Sequence, residues 1–113
     1  MNRINITTDD DENKGVVYAG WFDRDRATHY PQGTYWDGHN TRGLATRSQW
    51  VHEALFRTAG GAWVLNRWSS WQSAQPETYR RVTAEEAYVW LATNGHDKAL
   101  AELFADRHAA AEM

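Results

Sequence analysis

The 113-residue sequence has no cysteine, only two prolines, only two lysines and no long apolar run. Without cysteine there can be no disulfide, no thiolate metal site and no cysteine nucleophile, and the composition fits a reducing compartment. No stretch approaches the ~20 apolar residues of a membrane span. The opening MNRINITTDDDENKG lacks the apolar middle of a signal peptide, so a cytoplasmic location is expected. Catalytic signatures are missing too. There is no GxSxG elbow, P-loop or dinucleotide fingerprint, and Gly60-Gly61 lacks the strand–loop–helix context of one. The five histidines, His29, His39, His52, His96 and His108, make no HxxxH or HExxH spacing that would put two ligands on one helix face. The chain is therefore read as non-enzymatic, with no catalytic residue, no metal and no cofactor. An enzyme built on His39, His52 and nearby acids is the weaker alternative.

Two acidic groupings point to turns rather than to chemistry. Asp23-Arg24-Asp25 has the look of a metal-binding pair, but Arg24 and Arg26 neutralise it. Trp36-Asp37-Gly38-His39-Asn40 places an acid and a histidine at a loop tip, yet Asp-Gly and His-Asn are also ordinary turn chemistry.

Charge is unevenly spread behind a net −3. Residues 15–81 carry eight arginines against five acids, while 1–14 and 82–113 are acidic. Every cation of the central stretch is arginine, whose planar fork suits phosphate, carboxylate and aromatic faces. An arginine-rich genome would give the same bias.

Local patterns set the expected architecture. Residues 1–14, acidic and without apolar periodicity, read as a flexible lead-in to a single domain over 15–113. Gly15–Phe22 is a strand, rich in β-branched and aromatic residues. Asp23–His29 reads as a short helix or turn capped by Asp23. Tyr30–Arg47 reads as a long loop with a short strand at Thr34–Trp36. Val51–Arg57 and Ala62–Trp68 flank Thr58-Ala59-Gly60-Gly61 and predict a hairpin, with Phe56 opposite Trp63 or one residue away. Residues 48–58 also carry a helical pattern, with Val51, Ala54, Leu55 and Thr58 behind Ser48 as cap; strand is preferred because Ala62–Trp68 needs a neighbour. Thr78–Val82 is a further strand. Thr83-Ala84-Glu85-Glu86 then forms a capping box, Asn94-Gly95 ends that helix, and a second helix begins near Asp97. Strands first and helices last give the expectation of an α+β fold: a small antiparallel sheet of 3–5 strands with two C-terminal helices packed on one face.

Fifteen aromatic residues, seven of them Trp, are the main oddity. At roughly 200 Å² each they account for about 3,000 Å², around a quarter of the area such a chain buries. Trp63 and Trp71 share one face of their strand by alternation, and Trp68 takes the other. One face must then be covered by helices, the other by the long loop or by a partner. Trp36, Trp63, Trp68 and Trp71 with Arg67, Arg80 and Arg81 are the candidate partner-binding residues, since Trp, Tyr and Arg are the enriched types at protein hot spots. The same surface could instead stack single-stranded nucleic acid bases. The bland alternative is a core of aromatics with arginines on their edges.

Glu53-Ala54-Leu55-Phe56-Arg57-Thr58, Gly61-Ala62-Trp63-Val64-Leu65, Tyr79 and Val82-Thr83-Ala84-Glu85-Glu86-Ala87 followed by Trp90-Leu91 resemble a diffuse family of small bacterial proteins carried by plasmids, phages and integrated elements. Phe22-Asp23-Arg24-Asp25-Arg26-Ala27 matches that family's opening segment. Phe56 replaces its usual tyrosine, and the loop from Trp36 to Arg47 departs from its pattern. The resemblance brings no catalytic residues. It implies the context of a mobile element's accessory genes, whose small products often bind host or defence proteins; inhibition of such a partner, for example a CRISPR effector, is one concrete version of the role expected here.

Overall fold

A computed structural model describes residues 1–10, 15–70 and 76–110, with the side chains of residues 9, 10 and 16 outside that description. The chain is mostly β, which corrects the α+β expectation of a small sheet with two helices. Eight strands are present among the described residues: β1 (Arg3–Asp10), β2 (Gly15–Asp23), β3 (Thr28–Pro31), β4 (Thr34–Trp36), β5 (Thr41–Gly43), β6 (Val51–Arg57), β7 (Trp63–Ser69) and β8 (Thr78–Val82). Six form a mixed sheet in the order β2-β1-β8-β7-β6-β3, and β4 and β5 form a separate hairpin. Three helices follow, α1 (Ala84–Thr93), α2 (Asp97–Leu103) and α3 (Ala105–Ala110).

The largest correction is at the N-terminus. The segment expected to be a loose lead-in supplies β1, an interior strand antiparallel to β2 and parallel to β8. Its acids gather at the end of the strand, while Ile4 and Ile6 alternate inward and Ile6 is buried. Two inward isoleucines suffice because both neighbouring strands supply the backbone partners. Residues 11–14 lie outside the described residues.

The hairpin of β6 and β7 forms as a strand pair, with Arg57 opposite Trp63 and Phe56 opposite Val64, the second of the two registers. The competing helical pattern behind Ser48 has a local explanation: Ser48 Oγ accepts the N–H groups of both Trp50 and Val51 at 3.0 Å, a hydroxyl-capped turn that launches a strand. The capping box forms as expected, Thr83 accepting from the Glu86 N–H and Glu86 reaching back to the Thr83 N–H.

One face of the sheet is covered by the helices. Leu55, Trp63 and Val82 pack there against Ala87, Trp90, Leu91, Ala99 and Leu100. The other face is covered by the sheet itself. The chain passes from Asp23 at one edge to Thr28 at the other in five Cα steps, at most about 19 Å. A flat six-stranded sheet would hold those edges about 24 Å apart, so the sheet must curl. Phe22 of β2 accordingly lies 5.7 Å from Phe56 of β6, ring centre to ring centre, and 6.0 Å from Tyr79. Ile6, Ala54 and Val64 complete this inner cluster. Arg24 bridges the gap between the edges, lying 5.1 Å above the Phe56 ring and donating to the Tyr79 hydroxyl at 3.2 Å.

The β4–β5 hairpin is tied to the helices at Gly33. The Gly33 N–H donates to Asn94 Oδ1 at 2.9 Å, and a side chain there would meet the Asn94 carbonyl oxygen at 2.8 Å. Only glycine permits that approach.

Candidate functional site

The curled sheet divides the residues expected to form one binding face. In β7, Trp63, Leu65 and Arg67 point to the helix side, while Val64, Asn66 and Trp68 point to the inner side. Trp63 is buried, stacked on Phe104 at 5.9 Å and close to Tyr30 at 6.1 Å, so it belongs to the core. Trp68 is half-buried against the inner cluster and lies 5.7 Å from His52. Arg67 is exposed, with its Nε 3.9 Å from a Glu53 carboxylate oxygen. Glu53 also accepts from the Trp90 indole N–H at 3.1 Å. Arg80, half-buried, lies 3.7 Å from Glu86. Arg81 is exposed and registers opposite Val64, on the side away from Arg80. Trp71 lies outside the described residues. Among the described members of that set, Trp36 is the ring that stands clear of the fold, at 66% exposure.

Trp36 ends β4, and the turn after it is built to hold its shape. The Asp37 carboxylate accepts from the N–H groups of His39 at 2.8 Å and Asn40 at 2.7 Å, and from the Arg42 guanidinium. The Asp37 N–H in turn donates to the Asn40 carbonyl at 3.1 Å. The Arg42 guanidinium and these two backbone donors hold the Asp37 carboxyl down at about 2. Arg42 donates onward to the Arg47 carbonyl at 3.0 Å, and the Arg47 guanidinium lies 4.6 Å over the Tyr35 ring. The WDGHN segment is thus turn chemistry, with Asp37 as its organiser. What this arrangement can do is present one large amphipathic ring, on a backbone already fixed, to something that covers it.

The sequence reading passed over three further exposed rings. Tyr18 and Trp21 stand out from β2 at 60% and 49% exposure, and Trp50 at 44% precedes β6. Their signal was a strand whose aromatic residues exceeded what one buried face could take.

The histidines do not assemble a catalytic pair. His52 Nδ1 lies 3.1 Å from Gln32 Nε2, and Gln32 Oε1 accepts the Glu53 N–H at 3.2 Å. That second bond fixes the amide so that its NH2 donates to Nδ1, which leaves the proton of neutral His52 on Nε2. Nε2 faces Ser70 Oγ at 3.4 Å, where it can donate but not take the hydroxyl's proton. Among the described residues no three His, Asp or Glu come together as a metal site. Among the described residues no helix is long and apolar enough to cross a membrane.

Comparison with protein-family models, curated proteins and solved structures finds no match to this chain.

Proposed function

We propose that this chain is a non-enzymatic protein-binding module that docks through the β4–β5 hairpin with Trp36 as its anchor. Its place is that of an accessory protein of a mobile element, and its partner a host or defence protein such as a CRISPR effector. The observation that carries the reading is Trp36 itself: two-thirds exposed, on a turn whose backbone, acid and arginines are mutually bonded. A ring presented this way loses little freedom on binding, which is what lets a single Trp contribute 2 kcal/mol or more to a protein interface. A nucleic-acid role has less support, because the arginines near the exposed ring are committed: Arg42 to Asp37 and Arg47 to Tyr35.

The test is affinity capture from a bacterial host lysate with wild type and Trp36→Ala side by side. The expected result is a specific protein retained by wild type and lost, by about 30-fold in affinity, with Trp36→Ala. Equal recovery by both would place recognition elsewhere. Titration into labelled single-stranded and duplex DNA at two salt concentrations checks the other reading, where salt-sensitive binding would displace this one.

A further inference from the structure

We propose that the Gln32 amide and the His52 imidazole form a proton-operated clip, which holds the base of the β4–β5 hairpin to β6 while the ring is neutral and releases it when the ring takes a second proton. As a control on docking, the clip rests on the reading of that hairpin given above; as a device of the fold it stands by itself.

β3 ends at Pro31, opposite Ala54, so Glu53, the residue of β6 beyond that pair, has no strand partner on this side. The side chain of Gln32 takes the missing strand's place. Its Oε1 accepts the Glu53 N–H at 3.2 Å, and its Nε2 donates to His52 Nδ1 at 3.1 Å. The amide is also wedged against β5. A side chain at Gly43, which is buried, would meet Gln32 Oε1 at 2.7 Å and Cδ at 3.3 Å. One amide thus joins the connection before β4 to both β5 and β6.

This bonding exists in only one protonation state of the ring. Nδ1 accepts while it is bare, and a second proton makes it a donor, so that two donors face each other. If Gln32 withdraws, the Glu53 N–H loses its acceptor. If the amide flips to offer Oε1 to the new N–H, its NH2 group comes round to the Glu53 N–H, which loses its acceptor again. Both routes break the same bond. Nε2 donates to Ser70 Oγ in either state, so nothing opposes the change there. His52 is half-buried rather than sealed, and histidine makes this exchange near about pH 6.5.

The groups that face His52 are neutral: Gln32, Trp68 of β7 and Ser70. Glu53 and Arg67, the neighbouring pair of the ladder, point to the helix side, where Glu53 takes the Trp90 indole. On the inner side Glu77 takes the Asn66 amide, and in the hairpin Arg42 and Arg47 go to Asp37 and Tyr35. None of these carboxylates turns to Nδ1. Two other ties at the base of the hairpin survive acid. His96 Nε2 donates to the Pro31 carbonyl at 2.6 Å, as a protonated ring also would, and the Gly33 N–H donates to Asn94, which does not titrate. Release of Gln32 therefore lets the hairpin turn about Pro31–Gly33 without detaching, and Trp36 loses the fixed backbone that makes it an anchor.

Amide hydrogen exchange on the full chain, followed by nuclear magnetic resonance from about pH 8 to about pH 5, reads the clip with no partner present. Its failure leaves the docking reading standing, and a failed lysate capture leaves the clip standing. The Asp37 carboxyl, at about 2, stays ionised throughout this window, so the turn after Trp36 is not itself titrated. Protection of the Glu53 N–H, relative to an unstructured peptide, should fall about tenfold or more in step with the ring signals of His52, while the Gly33 N–H keeps its protection. His52→Asn offers an acceptor oxygen that takes no proton in this range and should abolish the dependence. Gln32→Glu can accept from both the Glu53 N–H and a protonated Nδ1, and should keep Glu53 protected down to about pH 5. The other four histidines are common to all three chains, and either variant serves should the other not fold. Wild-type protection of Glu53 that holds at about pH 5, or a fall that persists in either variant, overturns the proposal.

Discussion

Replacing Trp63 with alanine removes a ring that the helix-side core is built around. The indole stacks on Phe104, meets Tyr30 and carries the Arg57 guanidinium at 5.5 Å. Burying a Trp side chain of roughly 200 Å² at about 25 cal/mol per Å² is worth about 5 kcal/mol. Phe104 and Arg57 are only partly buried and can settle into part of the space, which puts the expected loss at about 3–5 kcal/mol. For a chain of this length each kcal/mol moves the melting temperature by about 4 °C, so the variant should melt about 12–20 °C lower. Trp36→Ala, which removes an exposed ring, should stay within about 0.5 kcal/mol of wild type. Thermal and urea melts followed by far-ultraviolet circular dichroism measure both. Should alanine leave too little folded chain to analyse, Trp63→Phe gives the same direction at smaller size. A Trp63→Ala variant that melts within about 2 °C of wild type would refute the assignment of this ring to the core.

Thr83→Ala deletes the acceptor of the α1 capping box and should cost about 0.5–2 kcal/mol, read from the shift in urea midpoint. Acid should loosen the Trp36 turn. Because the folded Asp37 carboxyl sits at about 2, below its ordinary 3.8, its contribution is complete above pH 3.8 and is lost as pH falls toward 2. Amide exchange of His39 and Asn40 should therefore gain protection, relative to an unstructured peptide, as pH rises through that window in wild type; Asp37→Asn should show no such dependence. Protection already complete at pH 2 would contradict the role given to the carboxylate.

How much of this was legible beforehand follows from how local each signal is. The capping box, the helix stop at Asn94-Gly95 and the β6–β7 hairpin depend on residues a few positions apart, and all three form. The turn role of Asp37 was readable for the same reason. β1 was hidden because Asp9 and Asp10 dominate its composition, although Ile4 and Ile6 already alternated. The curl of the sheet was not readable from periodicity at all. It follows from the short passage between β2 and β3, and it closes over the inner face that would otherwise need a partner. That closure is why alternation separated Trp63 from Trp68 correctly and yet neither ring stands free. Trp36 stands out because its hairpin belongs to neither face of the main sheet.

Hydrogen exchange of the indole N–H groups, followed by nuclear magnetic resonance, reads the division between rings that hold the fold and a ring that meets a partner. Trp90, whose indole donates to Glu53, should exchange slowly, and Trp36 should exchange at a rate close to that of free indole. A protected Trp36, or a Trp90 as fast as solvent allows, would contradict that division and with it the proposed anchor.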